Sequence, residues 1–216
     1  MRPRVIIHNL ISVDGRLNVG NPDVALYYEL AAGLGADAML CGSETMLVAF
    51  GDAAPADPLV DANPPDRPKP RLLVVDSKGR INCWDRIRAA PFWRSPVCLC
   101  SKETPSSYLD YLRDEGIESM VIGQGNVDLP LALEEVNRLY QVRTIRVDSG
   151  GKLNGALLEH RLVDELALLI APCAIGADSP ASLFVMQNSL DAQPALELQH
   201  VEALRNGHVW IRYRVK

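Results

Sequence analysis

The chain reads as a three-layer α/β fold. It should have a mixed, mainly parallel sheet with helices on both faces, and an antiparallel hairpin at its C-terminal end. Two observations predict this. From Arg4 to Ala171, short apolar runs alternate with stretches of helical period, the pattern of parallel strands joined by crossover helices. Beyond them, the alternating runs Ala195 to Leu204 and His208 to Val215 flank Arg205-Asn206-Gly207, and Asn-Gly between such runs is the strongest short hairpin signal.

The first strand, Arg4 to Ser12, is apolar and runs into Ser12-Val13-Asp14-Gly15-Arg16. In open α/β sheets the carboxyl end of a strand faces the ligand crevice, although Asp14-Gly15 is also an ordinary turn dipeptide. Asp23 is a fitting N-cap for a helix that runs to Leu34, with Leu26, Leu30 and Leu34 as its core stripe. Ala38 to Cys41 is a short strand leading into Gly42-Ser43-Glu44-Thr45-Met46. There Ser43 or Thr45 caps the next helix or, with the helix amides, holds a phosphate. Gly51 to Pro70 is a proline-rich surface loop of about 20 residues.

Arg71 to Val75 is a continuous apolar strand ending in Asp76-Ser77-Lys78-Gly79-Arg80, either a single-phosphate site or a solvated turn. Val97 to Cys100 is a strand. Thr104-Pro105 then opens a helix over Ser106 to Glu115, with proline expected at the first helical position and Gly116 as the stop. Ser119 to Ile122 is a strand ending at Gly123-Gln124-Gly125, and Asp128 caps a helix from Leu129 to Leu139. Arg143 to Val147 is the next strand.

That strand enters Asp148-Ser149-Gly150-Gly151-Lys152-Leu153-Asn154-Gly155, the stretch around which the chain is organised. Adjacent glycines permit φ > 0 and close approach of a ligand, and the amides of the following helix suit a phosphate. An ordinary strand-to-helix turn is the competing reading. Val163 to Ala171 follows as a strand, and Gly176 to Pro194 is a polar excursion before the hairpin.

Composition narrows the function. With 48% hydrophobic residues the chain can bury a sizeable core, and it reads as a single domain over residues 1–216. The net charge of −5 argues against nucleic-acid binding, which needs a basic face. No apolar run approaches a membrane span, and Met1-Arg2-Pro3-Arg4 runs straight into a strand without a signal-peptide apolar region. Five cysteines without a CxxC pair point to reduced thiols in the cytoplasm, and four scattered histidines give no metal-ligand spacing. Several anion-binding turns at strand ends suit a dinucleotide, yet no G-x-G-x-x-G opens the chain.

Taken together, the motifs resemble the reductase domain family of riboflavin biosynthesis, pyrimidine reductases with a dihydrofolate-reductase-like fold. The matching features are Ser12-Val13-Asp14-Gly15-Arg16, Gly42-x-x-Thr45, Val75-Asp76-Ser77, Asp148-Ser149-Gly150-Gly151-x-Leu153-Asn154-Gly155 and Leu162-Val163-Asp164-Glu165-Leu166 leading to Ala171-Pro172. They span essentially the whole chain. The resemblance implies NADPH as cofactor. Gly42 and Thr45 then meet the pyrophosphate and adenosine side. Ser77, with Lys78 and Arg80, reads the adenosine 2′-phosphate. Gly150 and Gly151, with Ser149 and Leu153 around them, meet the phosphates beside the nicotinamide half. Ile122 and Gly123 flank the same groove. Asn9, Ser12 and Asp14 line the substrate side, with Asp14 as catalytic acid or stabiliser of iminium charge.

The implied partners are a small-molecule substrate and a second copy of the chain as a homodimer. Two departures touch the substrate side: Ala49 where the family has an acid, and Ser149 where it often has glutamate. The rival enzyme, dihydrofolate reductase, needs a carboxylate on the inner face of the first helix, whose middle here offers Leu26, Tyr27 and Tyr28. A nucleotide-binding protein without catalysis is the rival of a different class.

Overall fold

The computed structural model describes residues 1–52, 68–176, 181–187 and 193–216. The expected proline-rich loop therefore lies largely outside the described residues, and the polar excursion does so in part. In chain order the elements are β1 (Arg4–Ser12), α1 (Val24–Gly33), β2 (Ala38–Gly42), α2 (Ser43–Phe50), β3 (Arg71–Val75), α3 (Trp84–Ala89), β4 (Arg94–Cys100) and α4 (Ser106–Asp114). Then come β5 (Glu118–Val121), α5 (Leu129–Tyr140), β6 (Thr144–Val147), α6 (Gly151–Glu159), β7 (Glu165–Ala171), β8 (Leu196–Ala203), a 3-10 turn (Arg205–Gly207) and β9 (Val209–Val215). They form two compact units, Met1–Pro3 with Ala36–Ile145, and Arg4–Gly35 with Arg146–Lys216. The mixed, mainly parallel sheet with helices and a C-terminal antiparallel hairpin is as expected.

In the first unit the strands β5-β4-β3-β2 are all parallel. Leu72, Leu73 and Val74 are fully buried, which is why β3 reads as a continuous apolar run rather than an alternating one. The core gathers Met39, Trp84, Ile87, Trp93 and Leu112. Helix α3 escapes sequence reading because six residues are too few to establish a period; Trp84 and Ile87 are its buried contribution. At α4 the proline sits at the N-cap, one residue before the expected position.

In the second unit β1 and β7 run parallel, from Ile6 opposite Glu165 to Ser12 opposite Ala171, and β7-β9-β8 continue antiparallel. Helix α1 closes a core of Ile6, Leu26, Tyr27, Ala167, Leu169 and Trp210. Its start is sealed by Asp23, whose carboxylate accepts from the Leu26 amide at 2.9 Å, the capping the sequence predicts. In the hairpin turn Asn206 and Gly207 have φ of 58° and 75°. Asparagine and glycine tolerate that region best.

Candidate active site

Two turns of the first unit stand at the carboxyl ends of neighbouring strands. Gly42, at the end of β2, pairs in register with Val75, at the end of β3. Gly42 is the N-cap of α2 in extended backbone, and no side chain caps the helix. The expected caps Ser43 and Thr45 are both inside the helix, so no side-chain cap stands at its start, a place where the helix favours an anion.

The turn after β3 is built on a buried carboxylate. Asp76, 1% exposed, accepts at Oδ2 from the amides of Arg80 (2.7 Å) and Ile81 (3.0 Å) and from the Tyr108 hydroxyl (2.8 Å). Trp84 Nε1 donates to the same hydroxyl at 2.9 Å. Burial above all pushes the Tyr108 phenol well up, so it remains a donor to Asp76. Gly79 has φ of 64°, and a Cβ there would lie 2.6 Å from Tyr108 Cγ, so this glycine answers both conformation and space.

Ser77 accepts at its carbonyl from Thr104 Oγ1 (2.7 Å) and at Oγ from the Val127 amide (3.0 Å). Its hydroxyl proton stays available for a further acceptor. Lys78 and Arg80 are exposed, and Arg80 pairs with Glu44 of α2 at 2.7 Å. Ile122 is buried. Gly123, with φ of 93° and a would-be Cβ 2.2 Å from the Asn126 carbonyl, makes the loop that carries Val127 back to Ser77. The structure thus brings Gly42, Ser77, Lys78, Arg80, Ile122 and Gly123 together at the strand ends of this unit, with Thr45 in the first turn of α2.

The remaining candidates lie in the second unit. Asn9 is buried, donates from Nδ2 to the Ser149 carbonyl (3.0 Å) and accepts at Oδ1 from Asn154 Nδ2 (2.9 Å). Asn154, fully buried, also donates to the Leu183 carbonyl at 3.1 Å. Two amides thereby tie β1, the glycine turn and the returning segment together. Ser12 is buried too. Its hydroxyl donates to Asp14 (2.6 Å) and accepts from the Arg16 amide (3.0 Å). Asp14 accepts further from the amides of Ile175 (3.0 Å) and Gly176 (2.7 Å). The Ser12 hydroxyl and then these amides hold its carboxyl far below the usual carboxylate range. Asp14 is therefore ionised at neutral pH and organises the loop after β7.

The glycine pair differs from expectation. Gly150 is extended, with φ of −78°, and Gly151 starts α6, so neither uses φ > 0. Around Gly150 a Cβ would meet nothing within 4 Å, and its backbone is open to a ligand. At Gly151 a Cβ would lie 2.1 Å from the Ser182 carbonyl, and at Gly155 2.2 Å from the Val185 carbonyl. Those two glycines admit the chain's own returning segment, which also donates from the Val185 amide to the Gly151 carbonyl at 2.9 Å. Leu153 is buried in the packing of α6.

Sequence reading gave Asp148 no role, although it stands at the carboxyl end of β6, the same signal that singled out Asp14. Its side chain is 21% exposed, with Arg146 at 4.0 Å, while the Tyr27 hydroxyl donates to the His8 carbonyl at 3.0 Å. An open cavity of about 470 Å³ lies in this unit, lined by Val19–Asp23, Ala171–Cys173, Asn206 and His208. It adjoins the Asp14 loop, since the Val13 amide donates to the Cys173 carbonyl at 2.8 Å. Among the described residues no His, Cys, Asp and Glu cluster could hold a metal ion.

A family model of the RibD C-terminal domain matches residues 3–210. The chain belongs to that family, the reductases of riboflavin biosynthesis. Proteins similar to it include the 2,5-diamino-6-ribosylamino-4(3H)-pyrimidinone 5′-phosphate reductase of Methanothermobacter thermautotrophicus, 28% identical over 100% of both chains. The reductase of the same name from Archaeoglobus fulgidus is 27% identical over 83% of this chain and 85% of its own. Riboflavin biosynthesis protein RibD of Escherichia coli is 32% identical over 51% of this chain, and the match spans 29% of that longer protein. Among solved structures, a pyrimidine reductase-like protein from Corynebacterium diphtheriae superposes with a TM-score of 0.76 at 22% identity, covering 99% of this chain and 92% of that one. The riboflavin biosynthesis reductase Rib7 of Saccharomyces cerevisiae gives 0.70 at 16% identity, covering 100% and 90%; these two likenesses concern the fold. A RibD-type reductase draws its hydride from a nicotinamide cofactor, and the first unit by itself offers groups that suit the phosphates of one: an α2 start without a side-chain cap and a turn bearing exposed Lys78 and Arg80.

Proposed function

We propose that the chain is an NADPH-dependent reductase that converts the ribosylamino group of 2,5-diamino-6-ribosylamino-4(3H)-pyrimidinone 5′-phosphate, or its close relative, to the ribitylamino group. The observation that carries this is the full-length likeness to reductases of that name, joined to a Ser77–Arg80 turn rich in donors and cations. Phosphate recognition favours such groups. When bound, the nicotinamide would supply a hydride.

This chain's residues do the holding. Gly42 and Thr45 at the start of α2 receive the pyrophosphate, and Ser77, Lys78 and Arg80 the adenosine 2′-phosphate. Ile122 and Gly123 shape the wall beside them. In the second unit the open Gly150 backbone and the first turn of α6 serve the nicotinamide half. There Ser149, Gly151 and Leu153 set the turn, while Asn9 and Ser12 position it and Asp14 from below. Reduction of the open-chain imine adds a hydride at C1′ and needs a proton at nitrogen. Asp14 is held ionised, so its part is electrostatic, favouring the iminium. Asp148 is the carboxyl we assign to the proton. The cavity lined by Val19–Asp23 and Ala171–Cys173 is where part of the substrate would lie.

The two compact units act as one reductase domain, a reading supported by a single family model that runs across both. A homodimer and a cytoplasmic setting complete the reading. The cysteines are free thiols, four of them buried, and no described helix is long and apolar enough to cross a membrane. A turnover panel tests the function. Purified protein with NADPH is offered the ribosylaminopyrimidine with and without its phosphate, and dihydrofolate. Turnover of the phosphorylated pyrimidine is expected; turnover of dihydrofolate alone would overturn the reading.

A further inference from the structure

The cation best placed to read an adenosine phosphate is already engaged. Arg80 Nη2 lies 2.7 Å from Glu44 Oε2, with the two side chains 46% and 69% exposed. Exposed pairs of this kind contribute little to folding, so the pair's meaning must be sought elsewhere. Glu44 lies in the first turn of α2, where the helix dipole favours a carboxylate. The register of β2 and β3 sets that turn beside the one carrying Arg80. The amide of Arg80 is held by Asp76 at 2.7 Å, which fixes the point on the turn from which its side chain extends toward Glu44.

We infer that Glu44 is a coenzyme-selectivity residue that competes with the adenosine 2′-phosphate for Arg80. The inference rests on assigning the Ser77–Arg80 turn to the adenosine ribose. An incoming phosphate must displace the carboxylate or share the guanidinium with a like charge, a cost that falls on NADPH alone. NADH carries a hydroxyl at that position, which can donate to the carboxylate. Glu44 therefore narrows the margin by which Lys78 and Arg80 favour NADPH. None of this touches the hydride-transfer end of the site.

Glu44→Gln keeps the length and removes the charge at an exposed position, so the fold is preserved. Equilibrium titration of NADPH and of NADH, read by quenching of protein fluorescence, is run on the wild type, Glu44→Gln, Arg80→Gln and the double variant. Glu44→Gln is expected to tighten NADPH about threefold to fivefold and to leave NADH unchanged or weaker. Arg80→Gln is expected to weaken NADPH, and in its background Glu44→Gln should lose most of its effect. If Arg80→Gln weakens NADPH while Glu44→Gln leaves the NADPH/NADH ratio unchanged, or moves it toward NADH, Glu44 is a bystander and the inference falls alone. If Arg80→Gln leaves NADPH unaffected, the turn itself has been misassigned, and both readings fall.

Discussion

At the scale of the residue, the physical setting of a side chain decides its chemistry more firmly than its motif does. Asp14 was legible in the sequence as a polar group at a strand end, but its partners were not. Ile175 and Gly176 are about 160 residues away in the chain, and nothing local announces them. Their amides make Asp14 an anion that shapes a loop, and the proton is proposed to pass through Asp148 instead. Asp148→Asn should lower kcat by about 10²–10⁴-fold with NADPH affinity kept, as loss of an acid–base group does. Asp14→Asn should instead lower thermal stability together with kcat. A paired measurement of hydride-transfer rate and melting temperature separates them, and an Asp148 variant with wild-type kcat would return the proton to water or substrate.

His8 makes a second argument at this scale. It is fully buried on β1, with ring nitrogens 3.0 Å from the Ala167 carbonyl and 3.1 Å from the Tyr27 carbonyl, and it stacks on the Tyr27 ring at 4.3 Å. Burial first, then the Arg146 charge, lowers its pKa to about 4, with Asp148 pulling the other way. The unfolded chain protonates its histidine near 6.5, before the folded one does. The stabilisation is therefore full above pH 6.5 and is lost as pH falls toward 4. The loss is on the order of 3 kcal/mol. Urea unfolding at pH 7 and pH 4 should show a smaller acid loss for His8→Gln than for wild type. Equal losses would mean that other groups govern the acid limb.

At the scale of the element, the sequence exposed periods and caps but not close approaches. Asp23 and Asp128 were readable as N-caps because the cap and its amide lie within one turn. The glycine pair was readable as a strand-to-helix turn, while the cause of Gly151 was hidden. It makes room for residues 182–185, which arrive through tertiary packing. The consequence is a contrast between neighbours. Gly151→Ala drives a Cβ into the Ser182 carbonyl, a backbone atom that cannot rotate away. It should cost about 1–3 kcal/mol, as overpacking does. Gly150→Ala meets open space at a φ of −78° that alanine adopts freely. That variant should keep the wild-type melting temperature and weaken the cofactor, since its methyl group occupies the approach to the backbone. A melting temperature that falls equally in both variants would remove the distinction.

At the scale of the whole molecule, the hairpin presents an apolar surface that stands exposed among the described residues. Strand β8 is the edge strand of the second unit, and the register shift between Leu198 and His200 re-aims its side chains. Leu196, Leu198 and Val201 then stand opposite Val215, Tyr213 and Ile211, on the face away from Trp210 and the α1 core. Leu196, Leu198 and Val201 are 46%, 52% and 57% exposed. Period-2 alternation made the hairpin plain, but it could not show which face would be left bare, because that depends on the bulge. A long apolar edge of this kind invites pairing, and a second copy of the same strand is the simplest partner, through a two-fold contact. We expect wild-type protein to sediment as a dimer at micromolar concentration. Leu198→Glu should shift it to a monomer with its secondary structure intact, since the side chain is 52% exposed. A wild type that sediments as a monomer would remove the dimer. A Leu198→Glu variant that stays dimeric would move the contact to another face of the molecule.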